Sequence, residues 1–291
     1  MANLKEIRNR ISSVGSTMQI TSAMKMVSAA KLKRAQNAIV QMRPYASKLG
    51  EILSNLAGSL NPSENPYSAE REVEKALIIA IASNRGLAGA FNNNVIKGSN
   101  VIIKDNDNVK FSVLSLGKKT NDYFKKTSYN TLDSFGDTYA SMYDELSFAY
   151  VSSIAEDIME RYVNGEYDKV YLVYNSFKNA GVQILRSEQF LPISPPEGSS
   201  ENSSSVEYIF EPNKKTIVED LIPKSLKIQL YKAVLDSHAS EHGARMTAMH
   251  KATENATDLQ KELKLTYNKA RQAAITAEIL EIVGGAEALN A

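Results

Sequence analysis

Apolar residues recur at Leu4, Ile7, Ile11, Val14 and Met18. That 3-4-3-4 spacing lines one stripe of a helix and predicts a coiled-coil seam. Asn3 with Glu6 three residues on reads as a capping-box-like start. The stripe continues with a shift through Ile20, Met24, Val27, Ala35, Ala38 and Met42, which reads as a stutter relaxing the supercoil. Small residues (Ala23, Ala29, Ala30, Ala35, Ala38) would admit a close partner backbone. Pro44 removes a backbone donor and predicts a kink. Gly58 and the run from Asn61 to Pro66 end the pattern.

A second helical stretch restarts at Pro223, a good first-turn residue. Its stripe runs through Leu226, Leu230, Val234, Leu235, Met246, Met249, Ala256, Leu259, Leu263, Ala270, Ala273, Ala277 and Leu280. Gly243 is its weak interior point, costing about 1 kcal/mol against alanine, and Gly284 with Gly285 predicts fraying. Two helices of roughly fifteen turns lie far beyond the usual three or four. A chain that leaves on one and returns on the other predicts an antiparallel coiled coil. With departures near residues 57 and 223, paired positions should sum to about 280, setting Met24 beside Ala256 and Met1 beside Ile279. The final dozen or so residues would overshoot as a single-helix tip.

Between the helices the period changes. Lys75–Ala82, Phe111–Leu116 and Val170–Tyr174 are short apolar runs, as expected of strands buried on both faces. Helical patterns lie at about 118–126 and 145–163, the latter burying Leu146, Ala149, Ile154, Ile158 and Tyr162. Alternating strands and helices predict a mostly parallel, Rossmann-like α/β sheet. Val182–Ser187 reads as an added antiparallel edge strand, and residues 195–205 as a polar surface loop. The predicted architecture is therefore α/β plus a long antiparallel coiled coil. The N-terminal helix spans 1–60, the inserted α/β domain 70–210 and the C-terminal helix 221–291.

At 291 residues and 43% hydrophobic, the chain can bury one sizeable core and keep residues for an extension. Net charge is +1, but residues 1–60 carry nine Lys or Arg against only Glu6 and Glu51. A basic first helix points to an acidic partner surface, or else to an ordinary solvated face. With no cysteine, disulfides and thiolate metal sites are excluded. No eighteen-residue apolar run predicts a membrane span, and the N-terminus lacks the apolar core of a secretory signal.

Candidate chemistry is thin. His238-Ala239-Ser240-Glu241-His242 fits the H-x-x-E-H pattern of one zinc peptidase group. The remaining histidine, His250, lies about 120° around the helix, leaving no evident third ligand. These residues read as a solvated polar face. Ser83–Asn92 sits where a phosphate-binding turn would lie but lacks G-x-G-x-x-G and the P-loop. It reads as a tight turn whose glycines permit close packing. Glu278 with Glu281, and Glu219 with Asp220, read as solvated carboxylates. The first helix has no interleaved aromatics to suit nucleic acid. Two classes stay open on the residues alone, a coiled-coil interaction protein and an α/β enzyme.

One feature exceeds a simple two-stranded rod. Ile20–Leu32 and Tyr267–Ile279 mix seam residues, cations and hydroxyls at several angles, as expected of helices contacted from outside as well as within. At these residues the chain resembles the gamma subunit family of the rotary ATP synthase. The resemblance runs from Leu4–Ile11 through Ile20–Leu32, Ser83–Asn92, Ser240–Met246 and Tyr267–Val283. The Y-N-K-A-R-Q-A-A-I-T run is its most specific part. The family usually has Asp, Cys and Gly where this chain has Asn84, Ala88 and Ala90, and a cysteine-based thiol control is ruled out here.

The resemblance implies a central shaft, without catalytic residue or cofactor, inside a ring of three alpha and three beta subunits. The α/β domain would meet the epsilon subunit and the membrane ring of c subunits. The chain would touch the inner membrane, on its cytoplasmic side, only through that complex. Met24 and Lys25 resemble the position that meets an acidic loop of beta. Arg271, Gln272, Thr276 and Glu278 resemble polar contacts to a beta catch loop. Ile282, Val283 and Leu289 would turn within an apolar sleeve.

Overall fold

A computed structural model describes residues 4–57, 66–68, 71–106, 108–131, 135, 139, 142, 143, 146–193 and 214–290. The predicted cap at Asn3, the break at Gly58 and the 195–205 loop lie outside them. The elements in chain order are α1 (Leu4–Ala57), β1 (Lys75–Ile81), α2 (Phe91–Asp105), β2 (Lys110–Leu116), α3 (Lys118–Phe124), α4 (Phe148–Val163), β3 (Lys169–Asn179), β4 (Val182–Leu191) and α5 (Lys214–Asn290). They form two compact units. One holds Met1–Ser28 with Met246–Ala291, the other Ala29–Arg245.

In the larger unit the strands lie in the order β2-β1-β3-β4. β1 runs parallel to both neighbours, with Ile79 opposite Leu114 and Leu172. β4 pairs antiparallel with β3 at the edge, as its sequence predicts. Each apolar run is buried because helices cover both sheet faces. Leu77, Ile79 and Ile81 share one core with Ile154, Ile158 and Tyr162 of α4 and with Leu226, Leu230 and Val234 of α5. Ala76, Ile78 and Ala80 face the other core, with Val95 of α2 and Phe124 of α3. On α4, capped by Ser147 accepting from the Tyr150 amide, Ala149 is exposed and Val151 is the buried residue. Ile154, Ile158 and Tyr162 face inward as predicted, and Leu146, just before the helix, packs against the same core.

Two local devices fix the strand ends. Asp168 accepts hydrogen bonds from the Glu74 and Lys75 amides, tying the start of β1 to β3. Gly117 (φ +122°) closes β2 so tightly against β1 that a Cβ there would lie 2.1 Å from the Ala82 carbonyl oxygen.

The long helices depart from expectation in three ways. First, α5 begins at Lys214, so Pro223 is an interior residue. Its missing N–H leaves the carbonyl of residue 219 without that partner, and helix on both sides holds the segment. Second, α5 stays helical through Gly284 and Gly285 to Asn290. Third, α1 has no stutter. Its less exposed positions keep a 4-3 repeat through Ile7, Ile11, Val14, Met18, Thr21, Lys25, Ser28, Leu32, Ala35, Ile39, Met42, Ala46 and Leu49. Three of these positions are polar, Thr21, Lys25 and Ser28. Ile20 and Val27 face outward, 61% and 57% exposed.

Candidate functional site

Within the smaller unit, α1 and α5 run antiparallel, and four cross-helix contacts fix their register. Arg8 Nη2 donates to the Tyr267 hydroxyl at 2.7 Å. Thr257 Oγ1 meets Met18 Sδ at 3.3 Å, Thr253 Oγ1 donates to Thr21 Oγ1 at 2.8 Å, and Lys25 Nζ lies 3.4 Å from His250 Nδ1. Paired numbers therefore sum to about 275, not 280. The helix ends do not set register; interlocking side chains do. Met24 stands level with Lys251, about one and a half turns from Ala256. The α5 half of the seam is Met249, Thr253, Ala256, Gln260, Leu263, Tyr267 and Ala270, all at least partly covered.

The sequence-nominated contact residues fall into two groups. Met24 and Lys25 are half-buried in the paired region, with the Lys25 ammonium turned onto α5 rather than outward. Arg271, Gln272, Thr276 and Glu278 are exposed, and every described side chain from 271 to 286 is exposed. Thr276 Oγ1 donates to the Gln272 carbonyl. Large apolar side chains are exposed in this stretch, including Ile275, Ile279, Leu280, Ile282 and Val283. Glu278 and Glu281 are solvated as predicted, as is Asp220; the Glu219 and Leu289 side chains lie outside the described residues.

The larger unit closes the crevice where an open α/β sheet would take a ligand. Strand order reverses at β1, so that crevice lies beyond the C-terminal ends of β1 and β3. Ser83 and Asn92 knit the turn after β1: Asn92 Oδ1 accepts from both the Ser83 amide and hydroxyl. Asn175 of β3 donates to the Phe91 carbonyl. Side chains of α5 occupy the remaining groups. Ser237 Oγ donates to the Ile81 carbonyl, and Arg245 donates to the carbonyls of Arg85 and Gly86. The turn's glycines do not serve close packing: a Cβ on Gly86 or Gly89 meets nothing nearer than 3.9 Å. Gly89 supplies a positive φ of 58°, and Leu87, 65% exposed, holds one of 62°.

The H-x-x-E-H segment is not a solvated face. Glu241 and His242 are buried, and Glu241 pairs with Arg245 at 2.6 Å. His242 Nε2 and His238 Nε2 lie 3.0 Å apart, and His238 stacks on Tyr143. Burial first, then Lys31 and Arg245, holds His238 down to about 4; burial first, then His238, Arg245 and Lys31, holds His242 down to about 3, so both rings are neutral at neutral pH. Burial pushes the Glu241 carboxyl up, opposed by Arg245. Among the described residues no group of three or more His, Cys, Asp or Glu could hold a metal. Gly243 also changes meaning. A Cβ there would sit 3.2 Å from Ala180 Cα, so the glycine lets α5 lie against the β3–β4 hairpin.

Sequence reasoning missed Thr21, Ser28, Thr253, Gln260 and Tyr267 as seam residues. The signal was available: the 4-3 count runs unbroken if polar residues are allowed to occupy it.

An antiparallel helix pair in one unit and, in the other, a small Rossmann-like sheet whose crevice is closed by side chains of α5 define a helix-pair α/β protein. A family model described as ATP synthase matches residues 3–289. The ATP synthase gamma chain of Flavobacterium johnsoniae is 59% identical, with all of both chains covered. That of Christiangramia forsetii is 58% identical, again with both chains covered. A chain of the Euglena gracilis mitochondrial ATP synthase OSCP/F1/c-ring assembly shares the fold with a TM-score of 0.66 and 24% identity, over 98% of this chain and 94% of that one. A chain of the Tetrahymena thermophila central stalk and c-ring gives 0.57 and 22%, over 80% and 99%. This chain belongs to the ATP synthase gamma chain family. No helix among the described residues is long and apolar enough to cross a membrane.

Proposed function

We propose that this chain is the central rotor shaft of an ATP synthase. It couples ion-driven rotation of the membrane c ring to ATP synthesis and hydrolysis in the alpha–beta hexamer. It contributes no catalytic residue and holds no cofactor. Its partners are the alpha, beta and epsilon subunits and the c ring, and it meets the cytoplasmic face of the cell membrane only through them.

The observation that carries this reading is the asymmetry of the helix pair. Two unlike helices share one seam, and α5 runs on past it, exposed on all sides with five large apolar side chains showing. Such a surface suits a surrounding sleeve rather than water. A shaft without threefold symmetry presents a different face to each of three equivalent partners. Their conformational equilibria then differ, as any bias requires differential contact. Met24 and Lys25 meet an acidic loop of beta, and Arg271, Gln272, Thr276 and Glu278 meet its catch loop.

The test is Lys25→Glu in membranes carrying the complex. Subunits should remain assembled while ions pumped per ATP hydrolysed fall. Unchanged pumping would refute the contact, and an assembled, coupled complex lacking this chain would refute the shaft.

A further inference from the structure

Lys25 sits at a seam position, and its ammonium has only N–H donors. At 3.4 Å from His250 Nδ1 it can only donate, so that nitrogen carries a lone pair. A neutral His250 then bears its proton on Nε2, which lies 3.6 Å from Glu254 Oε1. The three groups form a line across the helix pair: Lys25 on α1, then His250 and Glu254 one turn apart on α5. Among the contacts described, Lys25 and Glu254 are the charged groups that meet this imidazole from the two helices. The arrangement has two states. Protonating Nδ1 strengthens the attraction to Glu254 and sets an N–H against the ammonium. Lysine, on a flexible four-carbon stem, has an escape route into water.

We infer that His250 positions Lys25, holding its ammonium against α5 while the imidazole is neutral and turning it outward once the imidazole is charged. The charge on the imidazole, set against the ammonium on one side and the Glu254 carboxylate on the other, decides which way Lys25 points. It rests on the reading above that Lys25 meets an acidic surface of beta. Acid would then strengthen that contact by freeing the cation that makes it. His250 is not a catalytic residue; it acts through Lys25.

Two measurements test this, and they fail separately. In the purified full chain at one fixed pH, acylation of Lys25 by an amine reagent is followed by mass spectrometry. His250→Arg, permanently charged, should label Lys25 about twofold or more faster than His250→Gln, a neutral acceptor. Equal rates overturn the positioning of Lys25 by His250. In membranes carrying the complex, ions pumped per ATP hydrolysed are compared at pH 7.5 and pH 6. The wild type should change by about twofold between them, and His250→Gln should flatten that change. A His250→Gln profile matching the wild type overturns the switch. If Lys25→Gln pumps like the wild type at both pH values while the labelling difference stands, the beta contact is wrong and the positioning survives.

Discussion

Glu241 and Arg245, one turn apart on α5, form a buried ion pair 2.6 Å long whose guanidinium also takes the carbonyls of Arg85 and Gly86. Both side chains are 8% exposed, so neither charge has water to fall back on. Arg245→Met should cost about 3–5 kcal/mol, because it strands a carboxylate and two carbonyls. Replacing both, as Glu241→Leu with Arg245→Met, should recover much of that loss. Urea unfolding of the purified chain measures each. A loss below about 1 kcal/mol for Arg245→Met would mean that the turn does not depend on this clamp.

Gly243 and Gly284 make an internal comparison within one helix. Alanine gains about 1 kcal/mol over glycine in a helix interior. At Gly243 the added methyl meets Ala180 Cα at 3.2 Å and Phe177 at 3.4 Å, and backbone cannot swing aside. Overpacking costs roughly 1–3 kcal/mol, so Gly243→Ala should destabilise or at best break even. At Gly284 nothing lies within 4 Å. Gly284→Ala should therefore slow amide exchange in the last turns of α5. Stabilisation by Gly243→Ala in a urea titration would remove the close-approach argument.

The histidine pair gives the pH dependence. Folding lowers His238 to about 4 and His242 to about 3, while an unfolded histidine titrates near 6.5. Between those values the unfolded chain holds more protons, so stability rises with pH. The contribution is complete above about pH 6.5 and is lost as pH falls toward 4 and then 3. From pH 7.5 to 5 the loss is about 2 kcal/mol per histidine. Glu241, raised by burial, works in the opposite sense, so the variant curves rather than the total isolate the histidines. His242→Gln should flatten the slope of unfolding free energy between pH 7.5 and 5. An unchanged slope would place the acid sensitivity elsewhere.

Much of this architecture was legible because its signals are local. The strands declare themselves as short apolar runs, and Val182–Ser187 as an edge by its mixed pattern. What sequence hid is where a tertiary contact overrides a local preference. Ile20 and Val27 look like seam residues, yet the seam runs through Thr21, Lys25 and Ser28, where hydroxyls satisfy themselves on the Met18 and Met24 carbonyls. His238, Glu241 and His242 look solvated because nothing local says that Tyr143 will stack on His238 or that the turn at Arg85 and Gly86 will hold Arg245, the partner of Glu241. The helix ends give a register about one and a half turns from the true one, because interlocked side chains, not the ends, set it.

That seam assignment has a direct test. Ile7 is 6% exposed and Ile20 61%. Ile7→Ala should cost about 2–4 kcal/mol, as a buried aliphatic truncation does, and Ile20→Ala under about 0.5 kcal/mol. Chemical denaturation of the full chain separates them. Equal losses would restore the stutter and set Ile20 back in the seam.

The exposed stretch of α5 separates stability from function. Arg271, Gln272 and Glu278 are exposed, and Thr276 bonds only to its own helix among the contacts described. Alanine at Arg271 or Gln272 should leave unfolding within about 0.5 kcal/mol of wild type, as surface substitutions do. If these residues meet a beta catch loop, the same variants should slow ATP hydrolysis in the assembled complex. Polar contacts to a charged group contribute about 1.5–3 kcal/mol, so Arg271→Ala should lose roughly tenfold or more if the contact forms only in part of the cycle. Lys264→Ala, exposed on the same helix two turns earlier, is the control and should hydrolyse ATP normally. Equal rates for all three variants would remove the catch-loop contact and leave the apolar side chains from Ile275 to Val283 as the grip on the shaft.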